Sequence, residues 1–389
     1  MPDSLIGFDY NPRTRIVFGI DAINRLGELT KEILAKRALI VTDPGIVAAG
    51  HAAHAENSLK ASSIETFVFD QVHENPTTRD VDACLEVAKY EGIDCIIGLG
   101  GGSSLDTAKG CNFLLTNGGR MQDYWGVGKA AKPMLPLIAV PTTAGTGSEC
   151  QSFALIADDN THQKMACGDP KAAPRIAILD PALTVSQPRN VTACTGMDAI
   201  AHAVETAVCK KRTELSILYS REAFRLTINN FSRVLEDPED LDARSAMLLG
   251  AAYAGIAIEN SMLGAAHSMA NPLTAHFGIV HGHAVGMMLP HIVMFNSENP
   301  EALAAFQDLS VSAGLVTGSK VPDLVFGRLV TALGQCLDTA CFGRKLSQFG
   351  VNVEAVAELA EEASRQWTAT FNPRAITETD FERIYTEAL

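Results

Sequence analysis

The chain has 389 residues, more than one hydrophobic core usually serves, so two domains are expected. Apolar residues make up 47% and charged residues 20%, which excludes a disordered chain and leaves an ordinary globular one. The formal charge of −14 is spread along the sequence; such a surface repels polyanions and excludes nucleic acid and anionic membrane as expected partners.

The segment from Met1 to Arg15 has Pro and Asp early and no apolar run, so no signal peptide is expected. Ile16-Val17-Phe18 then reads as a first strand. Ala38-Leu39-Ile40-Val41-Thr42 is a second, closed by the turn residues Asp43-Pro44-Gly45, and Thr66-Phe67-Val68-Phe69 a third. Asp80 to Glu91 has helical spacing through Val81, Leu85 and Ala88. Cys95-Ile96-Ile97-Gly98-Leu99, Leu137-Ile138-Ala139-Val140 and Ile176-Ala177-Ile178-Leu179 are further near-continuous apolar strands. Strands apolar on both faces and separated by helices predict a parallel α/β sheet.

Two turns interrupt this pattern. Gly98-Leu99-Gly100-Gly101-Gly102-Ser103-Ser104-Leu105-Asp106 follows a strand and enters a helix. Glycines there let backbone amides approach a pyrophosphate, with the helix N-terminus behind them. The spacing matches GxGxxG only in part, because Ser103 and Leu105 stand in it, so a tight turn that binds nothing stays open. Pro141-Thr142-Thr143-Ala144-Gly145-Thr146-Gly147-Ser148-Glu149 likewise follows a buried strand and is rich in hydroxyls. Two such turns at strand carboxyl ends would line one crevice, where open α/β sheets bind ligands. Asp43 also ends a strand. It is placed either to accept hydrogen bonds from ribose hydroxyls or to close an Asx-turn before Pro44.

After Asp180-Pro181 the pattern turns helical: Ala193 to Lys210, Glu214 to Leu235, Ala243 to Glu259, and onward to the C-terminus. The expected division is an α/β domain over residues 1–187 and an all-helical domain over 188–389. Asn260 to Ser297 contains no Asp, Glu, Lys or Arg, but five histidines, Asn271, Pro272 and several glycines argue against a membrane span. A buried helical centre is the better reading. The nine cysteines form no CxxC pair and no compact framework, which points to a reducing, cytoplasmic setting.

Six of the ten histidines lie between residues 202 and 291. Asp198 and His202 are four apart, on one face of a helix, and Asp198 is flanked by apolar residues where an unpaired carboxylate would be expensive. His267 lies in a small-residue helical run and His281 opens Val280-His281-Gly282-His283. One Asp and three His make an N3O site for a first-row divalent ion such as iron or zinc.

Together, Gly100-Gly101-Gly102-Ser103, Pro141-Thr142-Thr143-Ala144-Gly145-Thr146, Gly196-Met197-Asp198-Ala199-Ile200-Ala201-His202, His267 and His281-Gly282 resemble the iron-containing (group III) alcohol dehydrogenases. The similarity extends to the closing Asn372-Pro373-Arg374 and Ile376-Thr377. It implies a Rossmann-like α/β N-terminal domain and an all-α C-terminal domain, the architecture shared with dehydroquinate synthase. It assigns Asp198, His202, His267 and His281 to a divalent metal, Fe2+ with Zn2+ as the alternative. It places Asp43, Asn75, Gly100, Gly101, Gly102, Ser103, Thr142, Thr143, Thr146 and Lys164 at NAD, and Asp106 closes the glycine turn within this set. It further implies a homodimer or a multiple of one.

The chain departs from the family pattern in one place. Many members carry a histidine four residues after the third ligand, linked to proton transfer; here Asn271 stands there. An amide orients a partner but does not titrate near neutral pH. His276 and His283 lie close by in sequence, either as substitutes, with Asn271 and His276 as the catalytic candidates, or as packing residues.

The reaction this implies is hydride transfer between NAD(H) and a small alcohol or aldehyde. A dehydroquinate-synthase-like lyase would need basic residues around its metal for a polyanionic substrate, and the uncharged Asn260 to Ser297 stretch argues against it. A metal hydrolase or a non-catalytic binding protein would leave the two dinucleotide-type turns, or the site as a whole, without a purpose.

Overall fold

The computed structural model describes residues 6–161, 163–316 and 322–389. The chain divides into two compact units, residues 11–187 and the remainder. The described N-terminal residues up to Tyr10 belong with the second unit: the Ile6 amide donates to Glu214 Oε1 at 3.3 Å, and the Tyr10 and Tyr219 hydroxyls meet at 3.5 Å.

The first unit runs β1 (Arg15–Phe18), α1 (Leu26–Glu32), β2 (Arg37–Val41), α2 (Pro44–Ala48), α3 (His51–Ala61), β3 (Glu65–Phe69), α4 (Thr78–Glu91) and β4 (Cys95–Gly100). It continues with α5 (Gly102–Asn117), β5 (Gly126–Val127), β6 (Leu137–Pro141), β7 (Phe153–Ala157), β8 (Lys164–Gly168) and β9 (Ile176–Leu179). Six strands make one sheet in the order β1-β9-β6-β4-β2-β3, every pair parallel.

Alternation along these strands builds a core on each face. Leu39, Val41 and Ile96 pack with Val81, Leu85, Ala108 and Cys111 of α4 and α5. Ala38, Ile40, Ile97 and Leu99 pack with Leu26, Leu29, Ala55 and Leu59 of α1 and α3. Each large aliphatic side chain so buried contributes about 2 kcal/mol, which is why no strand here can shift by one residue. α4 forms because Val81, Leu85 and Ala88 recur on one face. Asp80 accepts from the Thr77 amide and hydroxyl at its start, and Gly92 ends it at φ +57°.

Strand order reverses between β2 and β4, because the chain crosses from β3 past β2 to reach β4. The carboxyl ends of β2, β4 and β6 therefore deliver Asp43, Gly100 and Thr142 to one rim. A second sheet, β5-β8-β7, is not expected from the sequence; β7 and β8 pair antiparallel from Phe153↔Gly168 to Ala157↔Lys164.

The second unit is helical throughout its described residues: α6 (Arg189–Val208), α7 (Glu214–Glu236), α8 (Leu241–Glu259), α9 (Ala265–Phe277), α10 (His281–Asn296), α11 (Pro300–Ser312), α12 (Pro322–Ala340), α13 (Val356–Arg365) and α14 (Glu378–Ala388). α6 is buried without interruption from Gly196 to Val208, with α7, α8 and α10 packed around it. That explains its apolar character outside the face that carries Asp198 and His202. α8 is long and apolar enough to cross a membrane, but 61% of that stretch is buried inside the unit, as a core helix is. The charge-free Asn260 to Ser297 stretch forms α9 and α10, and the Tyr385 hydroxyl of α14 donates to Met269 O at 2.7 Å.

Candidate functional site

Around Asp198 the helical unit gathers three imidazoles. Asp198 and His202 share a face of α6, His267 is the third residue of α9, and His281 is the first of α10. Asp198 Oδ1 lies 3.3 Å from His267 Nε2, 3.5 Å from His202 Nε2 and 3.8 Å from His281 Nε2. The rings of His202 and His267 stack with centroids 4.9 Å apart. Asp198, His202 and His267 are buried, while the His281 side chain keeps 28% of its exposure and so opens the cluster on one side.

His281 reaches this cluster because α10 meets α6 at a glycine. A Cβ on Gly282 would fall 2.0 Å from Cys194 O, so any other residue would push the start of α10 away.

The charges at the cluster bear on whether an ion fits it. Burial disfavours an ionised Asp198, yet His202 first, then His267 and His281, hold its carboxyl well below the usual range. Burial also disfavours a charged His267, but Glu205 and Asp198 outweigh it and raise this imidazole to about 9. A ring held between two buried carboxylates requires positive charge beside it, either a second proton or a cation. Asp198, His267 and His281 bring ligand atoms within 4.8 Å of one another, and His202 Nε2 adds a third nitrogen 3.5 Å from Asp198 Oδ1. Imidazole nitrogens with a carboxylate oxygen are the donor set of a first-row divalent ion, so the residues fit such a metal.

Glu205 was not singled out from the sequence. It lies one further turn along α6, is buried, and its Oε2 meets His267 Nδ1 at 2.5 Å. The available signal was its spacing: residues 198, 202 and 205 fall at i, i+4 and i+7 on a helix that is apolar on its other sides.

The remaining histidines go elsewhere. His276 sits in the exposed last turn of α9 and pairs with Glu362 of α13 at 2.9 Å. Nine residues separate it from His267, about 14 Å along the helix axis. His283 stacks on Phe342 at 4.1 Å and meets Gly343 O at 2.9 Å, a packing role. Asn271, one turn beyond His267, is half-buried and donates to Gln366 Oε1 at 3.1 Å.

In the α/β unit the two hydroxyl- and glycine-rich turns touch. Gly100 has φ +145°, and a Cβ there would meet Ser104 Oγ at 2.5 Å and Asp43 Oδ2 at 3.3 Å. Cβ atoms on Gly101 and Gly102 would lie 3.2 and 2.8 Å from the Thr143 and Thr146 methyls. Asp43 caps α2 by accepting the Ile46 amide with Oδ1 at 3.1 Å, which leaves Oδ2 toward Gly100 and Ser104. The Asn75 amide donates to Ser103 Oγ at 3.3 Å, so this residue joins the same rim. The Thr142 hydroxyl is buried with no hydrogen-bond partner from the protein, an orphan that a bound ligand would satisfy.

Behind the rim is a network of charge. Asp106 accepts from Ser148 Oγ at 2.7 Å and from the Leu155 amide at 3.2 Å, so its carboxylate braces the second turn from inside. Lys109 donates to Ser148 O, Ser148 Oγ and Phe153 O at 2.7 to 2.8 Å. Glu149 is buried beside it with Oε1 unpartnered, and burial pushes its carboxyl up to about 7. Burial raises the Asp106 carboxyl above its usual range; Lys109 opposes this most, and Lys164, exposed at the start of β8, opposes it least and only through its charge.

Comparison with known proteins matches both parts of the chain to one family. The family model "Iron-containing alcohol dehydrogenase" matches residues 12–181, and that of the "Fe-containing alcohol dehydrogenase family, C-terminal" matches residues 192–389. The NAD-dependent methanol dehydrogenase of Bacillus methanolicus is 33% identical over 377 residues, covering 96% of this chain and 97% of that protein. Alcohol dehydrogenase 4 of Schizosaccharomyces pombe is 39% identical over 292 residues, covering 74% of this chain and 69% of that protein. The solved alcohol dehydrogenase from Oenococcus oeni superposes with a TM-score of 0.93 at 30% identity, covering 98% of this chain and 100% of its own.

Proposed function

The chain belongs to the iron-containing alcohol dehydrogenase family, and from that membership and its two sites we propose how it works as an NAD-dependent alcohol dehydrogenase on a small alcohol and the corresponding aldehyde or ketone. The observation that carries the reading is the approach of three imidazole nitrogens to Asp198 Oδ1 within 3.8 Å. Neither the lyase nor the hydrolase reading is favoured by this membership.

Asp198, His202, His267 and His281 would hold the divalent ion, iron before zinc. Such an ion supplies Lewis acidity that eases loss of the hydroxyl proton from an alcohol. The more open His281 side of the cluster is where substrate would enter. NAD supplies the carbon that takes the hydride, and the protein's part is to bind and orient it.

For that, the amides of Gly101, Gly102 and Ser103 at the N-terminus of α5 would bind the pyrophosphate. The Asp43 carboxylate would accept from the ribose hydroxyls, with Asn75, Thr142, Thr143 and Thr146 completing the rim. Asp106 contributes by bracing Ser148, and Lys164 by charge from the edge. Asn271 would orient substrate or nicotinamide by its amide, without moving a proton.

Iron as the native ion, a cytoplasmic setting and assembly as a dimer or a multiple of one complete the proposal. The nine cysteines, five of them buried in the α/β unit and none in a disulfide, support the reducing setting. Edge strand β1 with exposed Phe18, and exposed Ile20 just after it, supports assembly. A panel of alcohols and aldehydes, followed at the reduced-nicotinamide absorbance, tests the function on enzyme loaded with Fe2+, Zn2+ or no metal. Turnover equal with and without metal would overturn it.

A further inference from the structure

Beside the Asp198 cluster lies a buried carboxylate, Glu205, that is outside the proposed ligand set. We propose that Glu205 is a positioning residue that fixes the tautomer and orientation of His267, and so sets the affinity of the centre for its metal. This inference rests on the reading of Asp198, His202, His267 and His281 as the metal site.

Two hydrogen bonds define what Glu205 does. Its Oε2 meets His267 Nδ1 at 2.5 Å, and its Oε1 accepts the Ala266 amide at 2.7 Å. Ala266 is the second residue of α9, so the carboxylate also satisfies an amide donor at that helix N-terminus and complements its dipole. Gly264, just before the helix, is where this approach needs space: a Cβ there would lie 3.1 Å from Glu205 Oε1 and 3.3 Å from Asn372 Oδ1. Asn372 is itself held by reciprocal bonds with Asn296 at 2.7 and 2.9 Å. Asn372 is therefore fixed beside Gly264, next to the start of α9.

Glu205 belongs to α6, the helix that carries Asp198 and His202, whereas His267 belongs to α9. One carboxylate thus ties the two helices at the level of the ligands. With Oε1 accepting from the Ala266 amide, Oε2 is left to accept from a proton on His267 Nδ1, so that Nε2 is the atom left for the metal. A metal needs that tautomer, and a hydrogen-bonded carboxylate also makes the imidazole a better donor.

The neutral isostere cannot reproduce this. In Glu205→Gln one terminal atom becomes an NH2 donor, yet both positions face N–H groups. If the NH2 faces Ala266, two donors collide and the start of α9 moves. If it faces His267, the proton shifts to Nε2 and the ring no longer offers a lone pair to the metal. A charge loss without a change of size therefore separates positioning from packing.

The experiment measures the Zn2+ dissociation constant of the full chain by competition with a chromophoric chelator, for wild type, Glu205→Gln and His267→Ala. Glu205→Gln should bind about 10- to 100-fold more weakly with an unchanged far-UV circular dichroism spectrum. Wild-type affinity in Glu205→Gln, with or without a lower Tm, would mean a purely structural role and overturn the inference. If that affinity is lost in His267→Ala, the metal site itself stands; if His267→Ala also binds as wild type, the site reading fails with it. Should Glu205→Gln not fold, nitrogen-15 spectra of the Zn2+-loaded wild-type imidazoles decide the matter. The His267 ring, identified by its loss in His267→Ala, should carry its proton on Nδ1, and a proton on Nε2 would overturn the inference.

Discussion

His267 Nε2 lies 3.3 Å from Asp198 Oδ1, and neither atom has access to bulk water in quantity, since both residues are buried. A pair so placed calls for a cation. Replacing His267 or His202 by Ala should remove the bound metal and lower turnover together, while circular dichroism stays native. Charge stabilisation by the ion is worth several kcal/mol, so turnover should fall on the order of 10^3-fold. Chelation of wild type should lower Tm as well, because metal at 100 times its dissociation constant adds about 2.7 kcal/mol to stability. Stoichiometric metal in purified His267→Ala would remove the basis of the assignment.

Asp43 has two jobs in the structure, and they can be separated. Oδ1 caps α2 through the Ile46 amide at 3.1 Å, and Oδ2 faces Gly100 and Ser104. Two unit charges about 4 Å apart repel by roughly 4 kcal/mol at an effective dielectric of 20, so this carboxylate should reject the 2′-phosphate of NADP. Asp43→Asn keeps the cap, since Asn caps as well as Asp, and removes the charge. It should gain NADP use at least tenfold in kcat/KM with little loss of Tm. Equal use of both coenzymes by wild type would show that Asp43 does not select.

How much of this was legible depended on the kind of signal. The six parallel strands were readable because each is a short apolar run ended by turn residues, as Leu39 to Val41 is by Asp43-Pro44. The second sheet was not: Lys164-Met165-Ala166-Cys167-Gly168 has no strong β pattern, and it becomes a strand by pairing with Phe153–Ala157. Asp198 was readable because a carboxylate among apolar residues is costly. Glu205 obeys the same logic, but a single Glu on a helix usually faces water, and only the fold brings the start of α9 against it, through Ala266 and His267. Glu149 read as the end of a turn for the same reason.

Glu149 gives a pH dependence with a definite sign. Burial raises its carboxyl from 4.5 to about 7, so between these values the folded state holds a proton that the unfolded state has released. Stability from this group is therefore greatest below pH 4.5, falls as pH rises, and levels off above pH 7. The rise corresponds to roughly 3 kcal/mol. Glu149→Gln should remove the loss, raising urea stability at pH 8 by a few kcal/mol relative to wild type and changing it little at pH 4. An equal effect at both pH values would mean that the variant acts through packing and not through charge.

The last prediction concerns the proton released when alcohol is oxidised. Asn271 stands one turn beyond His267 and hydrogen-bonds to Gln366 Oε1 at 3.1 Å, so its amide offers no titrating group. His276 is held by Glu362 in the exposed end of α9, and His283 is stacked on Phe342, with burial lowering its pKa. Both rings have partners away from the Asp198 cluster, so on the proposed reading the proton is expected to leave through water. His276→Ala should leave kcat and its pH profile within twofold of wild type. Asn271→His should introduce an acid limb near pH 6.5, the ordinary value for imidazole, because oxidation then requires that ring to be neutral. Activity of this variant should fall as pH drops through the limb, while wild type shows no inflection there. A wild-type limb near pH 6.5 that vanishes in His276→Ala would instead return His276 to the proton path.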